Sequence, residues 1–192
     1  MELENVELLM IRPHLAEIPQ HQLPPGYLLR TFNDPDIRQW VRIHELADRF
    51  NSVTLDTFYN EFGADMGSLK ERSFYLDAPD GATIGTATAW YNPSFEGADY
   101  GRVHWVAIVP EAQGKGLSRP LLTAVMNCLQ ANHQRAYLAT SSARLAAIRL
   151  YLEFGFSPYT NPEFPLEGWR VVKQNFLSAG LPVPPQVESI CR

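Results

Sequence analysis

Residues 103 to 118 read VHWVAIVPEAQGKGLS, an apolar, β-branched run that breaks at Pro110 and opens into a loop with two glycines and one lysine. Directly after it, Leu121, Leu122, Val125, Met126 and Leu129 recur at helical spacing, which predicts an amphipathic helix over about 120–132. A strand that turns on glycines into a helix whose apolar stripe lies back on the sheet is a layered α/β unit. Gly114 and Gly116 let the backbone curl without side-chain obstruction, and the helix start aims unpaired N–H groups and its positive dipole end into the curl. Such a nest suits a phosphate. Ser118 is expected to cap the helix, and Pro120 fits its first turn.

The remaining elements follow from local pattern. VELLMI, residues 6–11, reads as an extra strand, followed by a loop through Pro13, Pro19, Pro24 and Pro25. YLLRTF, 27–32, is a strand, and Asp34 or Asp36 begins a helix with Ile37, Trp40, Val41, Ile43, Leu46 and Ala47 on its apolar side. Residues 51–70 read as a second helix and a loop. SFYLDA and ATIGTATAWY, separated by PDG, form a hairpin. RAYLATS is a strand, 142–154 a helix stopped by Gly155, and GWRVVKQNFL, 168–177, a final strand before a proline-rich tail. Consecutive strands followed by strand–helix units predict a mixed sheet with helices on its faces.

Composition narrows the function. At 192 residues and 45% hydrophobic content the chain suits one domain with a sizeable core. A net charge of -5 with no Lys/Arg run argues against general nucleic-acid binding. Cys128 and Cys191 have neither disulfide-framework nor zinc spacing, and the acidic N-terminus with its short apolar run fits neither a secretion signal nor a membrane span. The expectation is a soluble cytoplasmic protein.

The loop fails two familiar phosphate motifs. The nucleotide-hydrolase loop needs Gly-Lys followed by Ser or Thr, whereas Gly116 follows Lys115; the dinucleotide fingerprint needs a last glycine where Arg119 stands. Instead, Gln113-Gly114-Lys115-Gly116-Leu117-Ser118 resembles the acyl-coenzyme A loop of the GNAT superfamily of N-acetyltransferases, with Ser118 departing from Gly or Ala. Downstream, AAIRLYLEFGF, 146–156, resembles that family's second signature, and Arg144 stands where many members have Asn. The resemblance is specific over 103–156 and looser over 27–177, leaving 1–26 as an N-terminal extension and 178–192 as a tail.

The resemblance implies a mixed, mostly antiparallel central sheet with helices on both faces, and acetyl-CoA as co-substrate with no metal. It also implies backbone contacts from Val106 and Ile108 to the pantetheine arm, and pyrophosphate contacts along Gly114, Lys115, Gly116, Leu117, Ser118 and Arg119. Gln113 orients the loop. The chemistry needs a neutral amine, a donor for the oxyanion and a proton for the leaving thiolate. Tyr151, sharing a helix face with Ala147 and Ile148, is the candidate proton donor, with a core tyrosine as the alternative.

Strand alternation groups Arg102, His104, Val106 and Ile108 on one face. Arg102 cannot be a base at neutral pH, and His104 can; a structural histidine, a water chain to a carboxylate or solution deprotonation stay open. The family's acceptor site would be walled by Trp40, His44, Glu45, Asp48, Phe58, Tyr59 and Glu61, with Trp90, Tyr91 and Trp169 as contributors or core.

The expected activity is acetyl transfer from acetyl-CoA to a primary amine of a small molecule or peptide, by direct attack in a ternary complex. Nucleic acid and membrane are not expected as partners; a homodimer is allowed. A non-catalytic acyl-CoA sensor with the same fold, suggested by Arg102 and Arg144, is the alternative, and a protein-interaction module using the proline-rich termini is a third reading.

Overall fold

The computed structural model describes residues 3–63 and 65–192. Its centre is the expected hairpin of β3 (Ser73–Asp77) and β4 (Thr83–Phe95), extended on either side into seven strands. The others are β1 (Glu7–Arg12), β2 (Leu28–Thr31), β5 (Ala98–Ile108), β6 (Ala136–Ser141) and β7 (Ser157–Tyr159), in the spatial order β2-β3-β4-β5-β6-β1-β7. Every pairing is antiparallel except β5 with β6. That parallel register joins Gly101 to Ala136 and Arg102 to Tyr137 and goes no further, so the sheet forks beyond Arg102.

Helices cover both faces. On one lie α1 (Asp36–Ala47), α2 (Leu55–Phe62) and α3 (Met66–Arg72), where Trp40, Phe58, Phe62 and Leu69 pack with Tyr75 and Trp90 of the sheet. The predicted helix and loop over 51–70 is thus two helices, with Ala64 outside the described residues. On the other lies α4 (Ser118–Asn132), whose Leu121, Leu122, Val125, Met126 and Leu129 are fully buried with Ala87, Ala89 and Val103. Next come α5 (Leu145–Glu153), α6 (Leu166–Ser178) and, within the segment read as a tail, the short α7 (Pro185–Ile190), whose Val187 is buried.

Three expectations are corrected. The final strand over 168–177 is α6: Trp169, Val172 and Phe176 are buried at helical spacing, and that periodicity outweighs the β-branched Val171–Val172 pair. A Cβ on Gly168 would stand 2.7 Å from Leu8 Cδ2, so the glycine lets this helix close on β1. Second, Ser118 does not cap α4. Leu117 holds the capping position with φ -71 and ψ -22, already helical, and no side-chain cap bond forms; its own side chain is buried. Third, the common face of Arg102, His104, Val106 and Ile108 is broken. Trp105 has φ 48 and the β4–β5 register shifts between Thr86 and Thr88, a bulge in β5. His104 and Trp105 therefore both meet the α1–α2 aromatics, while Val106 packs with the cluster containing Tyr151.

The strand expected over 6–11 forms one residue later and sits between β6 and β7, inside the sheet. Its Leu8, Leu9 and Met10 are buried. No helix among the described residues is long and apolar enough to cross a membrane.

Candidate active site

The glycine loop is built as a cradle. Gly114 and Gly116 have φ 75 and 76, and a Cβ added at either would meet nothing within 4 Å. Such angles strain any L side chain, so glycine is needed for the curl and open space lies in front of it. The turn is pinned at both ends. Gln113 Nε2 donates to Ile108 O at 2.9 Å, tying the loop to the end of β5, and Leu117 is buried below it. Among the described residues, 114–117 donate no backbone hydrogen bond, and the first turn of α4 carries the unpaired N–H groups of any helix start. These donors fit a pyrophosphate.

A cavity of about 800 Å³ runs from this cradle between β5 and α5. Val106, Ile108, Gln113, Gly114, Gly116, Leu117 and Ser118 line it, and it reaches Tyr151. Lys115 is exposed and, like Arg119, is not among the lining residues. The Arg119 guanidinium is engaged by Glu153, with Nε and Nη2 donating at 2.7 and 2.8 Å. Burial pushes the Tyr151 phenol up to about 12, so it stays protonated and can donate.

A second cavity, about 450 Å³, opens in the fork of the sheet between upper β5 and β6 and under α2. His104 and Glu61 face it, with His104 Nε2 2.9 Å from Glu61 Oε2. At that distance the imidazole N–H acts on the carboxylate, though its alignment is poor for a hydrogen bond. Burial holds His104 at about 4 despite the neighbouring carboxylate, so the ring is neutral near pH 7. Glu61, drawn down to about 2 chiefly by His104, is ionised. His44 is likewise buried and neutral, lowered to about 3 by desolvation.

The two cavities meet. His44, Asp48, Val106, Arg144, Ala147 and Tyr151 line both. At that junction Arg144, where the family pattern has Asn, donates from Nη2 to Asp48 Oδ2 at 2.8 Å and from Nε to Ser141 Oγ at 3.2 Å. Arg144 thereby ties the start of α5 to the loop after α1. Sequence reasoning marked Arg144 as a departure but did not find its partner, because Asp48 is distant in the chain. Of the expected acceptor wall, His44, Asp48 and Glu61 face the fork; Trp40, Phe58 and Trp169 are fully buried core, Trp90 is buried against Phe62, and Tyr59 is half exposed. Asn51, Thr57 and Thr140 join the lining without having been singled out by any motif.

A sequence profile of the Acetyltransferase (GNAT) family matches residues 38–156. The chain belongs to that family. A mycothiol acetyltransferase of Thermobispora bispora is 30% identical over 159 residues, covering 79% of this chain and 53% of the relative. The chain thus spans about half the length of the curated relatives it matches. Among solved structures, a GCN5-related N-acetyltransferase from Sphaerobacter thermophilus superposes with TM-score 0.67 at 20% identity, over 83% of this chain and 50% of that one. The ribosomal-protein-S18-alanine N-acetyltransferase of Escherichia coli gives 0.56 at 21% identity, over 70% and 79%. Both likenesses are of fold.

Proposed function

We propose that the chain transfers an acetyl group from acetyl-CoA to a primary amine of a small molecule or peptide, by direct attack with both substrates bound. The observation that carries this reading is the meeting of the two cavities at Val106 and Tyr151, one cavity beginning at the phosphate cradle and the other holding His104 and Glu61. Acetyl-CoA supplies an activated acyl carbon on a thiolate leaving group. The loop amides and the α4 N-terminus hold its pyrophosphate, and the β5 edge left unpaired by β6 at Val106 and Ile108 holds the pantetheine arm, with the Ile108 carbonyl also accepting from Gln113.

In this reading His104, neutral and steadied by Glu61, accepts the proton that the acceptor ammonium must lose. The amine lone pair then forms the C–N bond as the C–S bond breaks, the Tyr151 hydroxyl gives its proton to the departing sulfur, and the proton that the new amide nitrogen sheds restores the phenol. The free thiols of Cys128 and Cys191 fit a reducing compartment, in line with a cytoplasmic location.

The test is release of free coenzyme A thiol with a panel of primary amines that includes the acceptor used by the mycothiol acetyltransferase relatives. Amine-dependent release is expected. Acetyl-CoA binding without turnover on any acceptor would replace the enzyme by a sensor, and absence of binding would remove both.

A further inference from the structure

Arg102 sits where the sheet forks, on the last pair joining β5 to β6. Its guanidinium lies 5.7 Å from the centre of the Tyr137 ring, and it lines the acceptor cavity with Glu61 and His104. Among the described residues it makes neither an ion pair nor a side-chain hydrogen bond, and its Nε is buried without a partner. The other guanidinium of that cavity, Arg144, is spent on Asp48 and Ser141. Glu61 lies against the neutral His104, and its charge acts on Arg102 only across the cavity, without a direct ion pair. Glu7, the remaining carboxylate of the lining, is opposite Ser141, four residues along β6 from Tyr137, or roughly 13 Å at strand spacing.

A half-buried guanidinium with no direct ion pair or hydrogen bond is unfavourable, and its planar fork of donors matches an oxyanion such as a carboxylate in two parallel hydrogen bonds. Resting on the acetyltransferase reading, we infer that Arg102 selects acceptors carrying a carboxylate besides the amine. The carboxylate pairs with Arg102 at the bottom of the fork, and the amine lies beside His104 and Glu61, toward Tyr151 and the acyl group. The substrate class is a small amino acid or a peptide end presenting both groups. Arg102 acts here as a specificity residue, holding the acceptor without entering the acyl transfer.

The experiment compares matched acceptors, each as the free carboxylate, primary amide and methyl ester, for the wild-type chain, Arg102→Gln and Arg102→Lys. In the wild type kcat/KM should favour the carboxylate by about tenfold or more, as expected where a buried polar group would otherwise go unpaired. Arg102→Gln should remove the preference by raising KM for the carboxylate, leaving kcat and the KM for acetyl-CoA little changed. Arg102→Lys should retain part of it. Calorimetric titration of the same acceptors into coenzyme A-saturated protein reads the preference without turnover, so a poor acceptor panel does not hide it. Equal affinity for carboxylate, amide and ester in the wild type overturns the inference, as does an equal loss for all three in Arg102→Gln. Neither result touches the acetyltransferase reading, which fails instead if no amine in any form draws thiol release.

Discussion

Two side chains carry most of the proposed chemistry, and their environments make them separable. Tyr151→Phe keeps the ring that packs with Phe156 and removes only the hydroxyl. The rate constant for acyl transfer should fall by roughly ten- to a thousandfold with the coenzyme dissociation constant unchanged, the pattern for an interaction made in the transition state. Wild-type turnover in single-turnover experiments would return Tyr151 to the core.

The buried histidines give a second, independent signature. His104 is lowered to about 4 and His44 to about 3 from an ordinary value of 6.5, in both cases first by desolvation. The unfolded chain therefore binds more protons as pH drops below 6.5, so their contribution is complete above that value and is lost toward pH 4. Glu61, lowered to about 2 from 4.5, acts in a later window, below 4.5. The melting temperature should fall between pH 6.5 and 4.5, and His104→Gln should lessen that slope. A flat profile in the wild type would mean that neither ring is buried neutral. The candidates were readable from the chain, since His104 lies on the strand before the glycine loop and Tyr151 within the second motif, and both residue types can exchange protons. Their surroundings were not, because Glu61 lies on a helix far from His104 in sequence.

At the scale of elements, the strand–loop–helix unit was legible because its rules are local: glycines where φ is positive, a proline in the first turn and an apolar stripe behind. What failed was equally physical. The β5 bulge rests on Trp105, a bulky residue at positive φ, held there by Trp40 and His44 rather than by its own preference. Segment 168–177 misled because its β-branched Val171–Val172 pair favours a strand, while the spacing of Trp169, Val172 and Phe176 that buries one helix face is the stronger signal. The loop yields the clearest element-level test. At a hundredfold excess over Kd, acetyl-CoA should raise the melting temperature by about 5–10 °C. Gly116→Val should lose that shift. No protein atom lies within 4 Å of the new Cβ, so the clash is with the phosphate and with a φ of 76 that valine resists. An undiminished shift in a folded Gly116→Val would move the phosphate site elsewhere.

At the scale of the whole molecule, the sheet is completed from the beginning of the chain. Hydrophobic pattern revealed β1 as a strand but could not show its neighbours, since pairing between Glu7–Arg12 and Ala136–Ser141 is set by where the intervening elements leave a gap. Once in place, β1 is, among the described residues, the sole strand partner of the three-residue β7, and its buried Arg12 donates to the carbonyl oxygens of Phe154, His14 and Ala16. Asn175 of α6 in turn donates to Glu4 O and Ser142 O at 2.8 and 3.0 Å. Removing residues through Arg12 deletes Leu8, Leu9 and Met10 from the core, strips β7 of its partner and uncovers α6. Each large buried side chain is worth about 2–5 kcal/mol, and the whole domain about 5–15, so the truncated chain should show no cooperative melt. Met10→Ala, a milder change at a fully buried site, should cost about 2–5 kcal/mol in denaturant unfolding while leaving the coenzyme shift intact. A truncated chain that melts cooperatively near the full-length temperature, and is still stabilised by acetyl-CoA, would show that the acyl-transfer unit stands without β1 and that this strand is an addition to it.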